Sequence, residues 1–173
     1  MAGATGPASK YLPDYMPLHI GLGSYEGTFR AIARYHKEKG LYAWAQAGYH
    51  LRSHTKIERN YYYTTQGYYS DKVDMPDALT YGMVVGSFFM EQALRVEASF
   101  DGLHTNGGHD IRRQDMPFPS NKMIFSRVGG LAQYFLPPGR KLGLTASGGY
   151  VLSGRNVGQS VVWSAGVLYR FYL

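Results

Sequence analysis

Residues 161–173, VVWSAGVLYRFYL, alternate with a period of two up to the last residue. Val161, Trp163, Ala165, Val167, Tyr169, Phe171 and Leu173 share one face, while Ser164, Gly166 and Arg170 stand on the other. Successive side chains of a strand point to opposite faces, whereas a helix repeats about every 3.6 residues, so the stretch reads as a β-strand. Its apolar face includes the final residue and must lie against something apolar. Whether that is a protein core or lipid decides the fold.

The same alternation recurs upstream, giving seven segments in all. In residues 24–37, Tyr25, Phe29, Ala31, Ala33 and Tyr35 oppose Glu26, Thr28, Arg30, Arg34 and His36. In 41–54, Leu41, Ala43, Ala45, Ala47, Tyr49 and Leu51 oppose Gln46, His50, Arg52 and His54. Around 78–90, Leu79, Tyr81, Met83 and Val85 oppose Thr80, Gly82 and Gly86. In 94–102, Leu94, Val96, Ala98 and Phe100 oppose Arg95, Glu97, Ser99 and Asp101. In 123–136, Val128, Ala132, Tyr134 and Leu136 oppose Arg127 and Gln133. In 141–153, Leu142, Leu144, Ala146, Tyr150 and Leu152 oppose Lys141, Thr145, Ser147 and Ser153.

Composition narrows the classes. The chain of 173 residues has the length of one domain. It holds no apolar run near the ~18 residues of a transmembrane helix, although a barrel crosses a bilayer without one. The absence of cysteine excludes disulfides, thiol nucleophiles and cysteine-ligated metals. Net charge is +6, but the Lys and Arg residues are scattered, so nucleic acid is not an expected partner. Residues 1–23, opening MAGATGPASKYLPDYMP, are rich in small residues and proline and read as a loop segment. They lack the basic and apolar regions of a signal peptide.

Alternation alone fits a soluble β-barrel or sandwich with apolar side chains inside, or a membrane barrel with them outside. Three features favour the membrane: strands long enough to span hydrocarbon when tilted, aromatics at the ends of the apolar face, and an opposite face mixing both charge signs with Gly and Ser. We therefore expect an all-β fold, an antiparallel up-and-down transmembrane β-barrel over residues 24–173, located in the outer membrane of a Gram-negative bacterium. Connections after strands one, three and five are short, and those after two, four and six are long, which places the short turns in the periplasm. About seven strands cannot close a single-chain bacterial barrel, because such barrels are even-numbered and open edges are costly in lipid. The expectation is the C-terminal part of a larger barrel, with closure by oligomerisation as the alternative.

The face opposite the lipid carries Glu26, Arg30, Arg34, Arg52, Arg95, Glu97, Asp101, Arg127, Lys141 and Arg170. Basic groups outnumber acidic ones, which favours anions if a pore is open. The same residues could instead pair and brace the wall. The tyrosine-rich stretch 61–72 offers Tyr61, Tyr62, Tyr63, Tyr68 and Tyr69 as external-loop ligand contacts, or as a structural cap.

The end of the chain, SGRNVGQSVVWSAGVLYRF (153–171), resembles the close of outer-membrane β-barrel transporters. The nearest group is that associated with meta-pathway phenol degradation, related to the long-chain fatty-acid and toluene uptake channels. PLHIGLGSYEG (17–27) is similar to the strand start of that group. The resemblance implies passive passage of small, often hydrophobic molecules. Separately, no cofactor and no enzymatic activity are expected. The resemblance also implies that Tyr169, Phe171 and Leu173 form the signal read by the barrel-assembly machinery. The group ends in Phe, and here Phe171 keeps that phase two residues before Leu173.

A catalytic alternative rests on LHTNGG (103–108), which resembles the His-x-Ser-Asn run of outer-membrane lipid hydrolases. His104 falls in the lipid-facing phase, but Asn106 stands where the serine would be, and Thr105 points the other way, so no nucleophile is present. His36, His50 and His54 do not converge as metal ligands would, and no metal site is expected.

Overall fold

The computed structural model describes residues 1–9, 13, 23–37, 40–112 and 116–171. The fold is all-β. Eight strands form one antiparallel sheet: β1 (Ala2–Thr5), β2 (Glu26–His36), β3 (Leu41–Arg52), β8 (Asp77–Phe89), β9 (Leu94–Asn106), β10 (Ile124–Phe135), β11 (Leu142–Arg155) and β12 (Val161–Tyr169), in that spatial order. The loop between β3 and β8 holds two small ribbons, β4 (Thr55–Lys56) with β7 (Lys72–Val73) and β5 (Tyr62–Tyr63) with β6 (Gly67–Tyr68).

Each long strand pairs with its sequence neighbour in the sheet, the meander expected of up-and-down topology. The register sorts the faces. Tyr49, Leu79 and Phe29 stand opposite one another across β2, β3 and β8, and Met83, Phe100 and Val128 do so across β8, β9 and β10. On β8 the apolar face is the exposed one: Leu79, Met83, Val85 and Phe89 lie open while Ala78, Gly82, Val84 and Gly86 on the other face are buried. Among the described residues no second sheet or helix covers the buried face, and Val84 of β8 and Val162 of β12 line one groove, so the sheet curls round it. The outer face is apolar and the inner one polar or small, the reverse of a water-soluble barrel.

Aromatic side chains mark the short-turn ends of the outer face. Tyr35, Phe89 and Tyr169 all stand there, each at least half exposed, at or next to the ends of β2, β8 and β12.

A buried hydrophobic cluster lies in the long loop between β3 and β8. Ile57, Tyr62 and Val73 form a buried cluster with Tyr68 packed on it, and Thr55 is nearly inaccessible beside it. The loop from β9 to β10 adds a short 3-10 turn, Phe118–Ser120, with Met116, Ser120 and Asn121 buried. These loops cap one end of the sheet. Arg155 and Asn156 tie the last long loop to Asp110 of the preceding one, through bonds of 2.5–3.2 Å.

Two expectations need correction. The sheet has eight strands rather than about seven, because Ala2–Thr5, inside the segment expected to be loop, pairs with Glu26–Phe29. Among the described residues β1 and β12 are the two edges of the sheet. The alternation of residues 141–153 is broken by a register shift between Ser126 and Arg127, which leaves Leu152 without an opposite residue and sets Ser153 against Ser126. Ser153 therefore joins the outer phase, where its hydroxyl bonds Ser126 at 2.8 Å. A bulge adds one residue to one strand, so every residue beyond it changes face.

Candidate functional site

The inner face is built in three levels. At the loop end, Glu26 on β2 faces β3: its Oε1 lies 2.7 Å from His50 Nδ1, and its Oε2 accepts from Arg52 Nε at 2.9 Å. His50 Nε2 lies 3.0 Å from the Thr80 hydroxyl on β8, so the cluster crosses three strands. In the middle, Arg127 on β10 grips Asp101 on β9 in a fork, Nε to Oδ1 at 3.2 Å and Nη2 to Oδ2 at 2.9 Å. Towards the short turns, Glu97 accepts from Arg95 and from the Tyr42 hydroxyl, while Arg95 Nε also donates to the Tyr42 oxygen at 2.8 Å.

The backbone makes the last cluster possible. Tyr42 on β3 must pass β8 to reach Glu97 on β9, and it passes over Gly86. A Cβ on Gly86 would stand 2.5 Å from the Tyr42 ring and 2.9 Å from Glu97 Cγ. Glycine is required here for the close approach of side chains.

Of the ten charged residues expected on this face, all fall in its phase. Glu26, Arg52, Arg95, Glu97, Asp101 and Arg127 are brought together in pairs. Arg30, Arg34 and Lys141 are exposed and make no ion pair among the described residues. Arg170 lies with its guanidinium carbon 3.6 Å from the centre of the Phe135 ring. The sequence reading missed Tyr42 and Thr80 as members of these networks. Tyr42 sits in the polar phase of its segment opposite Gly86, and that pairing was the available signal.

A polar groove of about 340 Å³ runs along this face beside Glu97, Ser99, Asp101, Arg127 and Ser147, floored by Gly129 and Gly149. A second hollow of about 190 Å³ lies under the cap between Arg52, Met75, Thr105 and Asn121.

The tyrosine cluster divides. Tyr62 is buried, stacks on Tyr68 at 5.2 Å and donates its hydroxyl to the Lys72 carbonyl at 3.1 Å. Burial, with the Asp74 carboxylate nearby, raises its pKa. Tyr61 and Tyr69 pack at 4.9 Å and face solvent, and Tyr63 lies beside them, half-buried. At the chain end Tyr169 and Phe171 meet edge to face at 4.8 Å. Leu173 and most of 17–27 before Gly23 lie outside the described residues.

His104 is exposed on the outer face opposite Leu79 and Ile124, with Asn106 exposed two residues on. Thr105 is buried the other way, donating to the Met123 carbonyl and accepting from its N–H. Among the described residues the Thr105 hydroxyl bonds only the Met123 backbone. Among the described residues no group of His, Asp and Glu is placed to hold a metal ion.

Comparison with protein-family models, with curated proteins and with solved structures finds no match to this chain.

Proposed function

We propose that this chain is a membrane-spanning β-barrel protein of the outer membrane, with its outer face in lipid and its inner face braced by ion pairs under a loop cap. One observation carries the reading: large apolar side chains stand exposed on one face of a curled sheet while carboxylates and guanidinium groups pair on the other. In water, such a patch would drive association. In a bilayer, the arrangement satisfies both faces. The aromatic rows at the strand ends support it, since such rings favour the membrane interface. The strand ending in Tyr169 and Phe171 is the segment that barrel-assembly machinery would engage.

The paired inner charges and the packed loops favour a filled interior over an open channel. Passive passage of small molecules is the second reading. It is favoured by Arg30, Arg34 and Lys141, which have no ion-pair partner among the described residues and predict anion preference. Reconstitution in planar bilayers tests both. A heat-modifiable, membrane-inserted species without conductance supports the braced wall. Anion-selective conductance supports the channel, and a protein recovered only in the aqueous phase overturns the membrane assignment.

A further inference from the structure

We infer that Glu26, His50 and Thr80 form a nucleophilic triad on the inner face, which hydrolyses a small carboxylic ester through an acyl-threonine. The inference goes beyond the membrane reading and does not rest on it, because the three residues stand on the adjacent strands β2, β3 and β8 of one sheet.

Geometry fixes the roles. Glu26 Oε1 lies 2.7 Å from His50 Nδ1, and a carboxylate only accepts, so Nδ1 carries the proton. In the neutral ring Nε2 is then the acceptor, and it lies 3.0 Å from Thr80 Oγ1. The hydroxyl donates to it in preference to the Gly48 carbonyl, which is farther away at 3.3 Å. Arg52 Nε bonds the second carboxylate oxygen at 2.9 Å and the Thr28 hydroxyl bonds the first at 3.1 Å, so the Glu26 carboxylate is held in place. A hydroxyl on a base that a third group orients is the signature of an activated nucleophile. The three residues are far apart in sequence, so no local motif carries them.

Space for a substrate adjoins the triad. Gly48 is paired with Thr80, and any other residue there would put its Cβ 2.9 Å from Thr80 Oγ1 and 3.5 Å from His50 Nε2. Glycine keeps the face over the two groups open, as a site of close approach needs. Arg30, paired with Gly48 on its other side, offers a guanidinium to an oxyanion formed there. Leu103 stands directly opposite Thr80, and from it the hollow of about 190 Å³ extends between Met75, Phe118 and Met123, apolar walls that suit a short acyl chain. Thr80 Oγ1 attacks the ester carbonyl carbon while its proton passes to His50 Nε2. Collapse of the adduct breaks the C–O bond, and the alcohol leaves with that proton. Water then attacks the acyl-threonine by the same path, which releases the carboxylic acid and restores Thr80.

The test uses the intact chain refolded in detergent micelles, p-nitrophenyl butyrate as substrate and a fluorophosphonate as covalent probe. Peptide mass spectrometry of the unaltered chain should place the phosphonyl adduct on Thr80, and no variant has to fold for this readout. T80S should still be labelled. T80V and H50Q, checked by circular dichroism for an unchanged strand signal, should lose the adduct and at least about 100-fold of the hydrolysis rate, the usual contribution of a positioned base. No adduct on Thr80, adduct spread over other hydroxyls, or hydrolysis unchanged in T80V overturns the inference and leaves a network that only braces the wall. Vesicle flotation of the chain reports on the membrane reading separately, so either can fail alone.

Discussion

Replacing Met83 by Arg separates a lipid-facing surface from a wet one. Met83 is the central residue of the thirteen in β8, about half exposed on the apolar face, with Ala45 and Phe100 opposite it on either side. On a water-facing sheet an exposed Met→Arg change alters stability by about 0.5 kcal/mol or less. At a bilayer midplane the same change costs about 2–4 kcal/mol, or roughly 30- to 700-fold in the folding equilibrium. Leu51, also outward but next to the end of β3, should tolerate Arg at a cost of about 0–1 kcal/mol, because arginine there reaches the headgroups. The assay is reversible denaturant folding into phosphatidylcholine vesicles, followed by fluorescence of Trp44 and Trp163, the latter 78% exposed on the outer face. The prediction is the depth dependence: a large loss at Met83 and a small one at Leu51. Equal small losses at both positions would refute the lipid-facing assignment of this sheet.

Further outcomes follow from individual contacts. Gly86→Ala should cost about 1–3 kcal/mol by displacing Tyr42 from Glu97, and should cost less in a Tyr42→Ala background, as a double-mutant cycle in the same vesicle assay would reveal. The Arg127–Asp101 pair is partly hydrated, with side chains 44% and 34% exposed, so the same type of cycle should give a coupling of only about 0.2–1 kcal/mol. Bonds from Arg155 hold the Asp110 carboxyl down at about 2, against 3.8 ordinarily. Because the folded value is depressed, this contribution is complete above the ordinary carboxylate range and is lost as pH falls through about 2. Carboxyl NMR should show half-protonation there and a return towards the usual value in Arg155→Gln. Ile57→Ala should cost about 2 kcal/mol or more and act on the loop cap alone, so hydrogen exchange should rise around Tyr62 and Val73 while β9 and β10 stay protected.

Much of the sheet was legible because one rule governs it. Where strands pair without interruption, a period of two assigns each side chain to a face, and Glu26, Arg95, Glu97, Asp101 and Arg127 could be placed on one face without coordinates. The rule failed in two places. Ala2–Thr5 is too short and too small-sided to show an alternation, and it becomes a strand only because β2 offers an edge. Ser153 looks like an inner residue in unbroken phase, but a bulge depends on the register of two strands distant in sequence, which no local pattern carries. Which inner charges meet was also hidden. Glu97 pairs with Arg95 on its own strand, and it reaches Tyr42 only because Gly86 on the intervening strand has no side chain.

The loop cap was the least legible part, and its position bears on what the molecule does. Its buried residues, Ile57, Tyr62 and Val73, come from a stretch whose tyrosines read equally well as ligand contacts. Solvation separates them. Tyr62 ends in a hydrogen bond to the Lys72 carbonyl and stacks on Tyr68, so its ring is committed to the fold, whereas Tyr69 is 92% exposed and commits nothing. A ligand arriving from the loop side would meet Tyr61 and Tyr69 first, then a packed layer. Beyond it, Glu26 is already bonded to both Arg52 and His50. If the proposed second reading holds, passage through this end requires the Ile57–Tyr62–Val73 cluster to open. If Ile57→Ala produces conductance that the unaltered chain lacks, the cap is a gate. If hydrogen exchange rises in the cap and conductance stays absent, the barrier lies in the ion-paired levels beneath it.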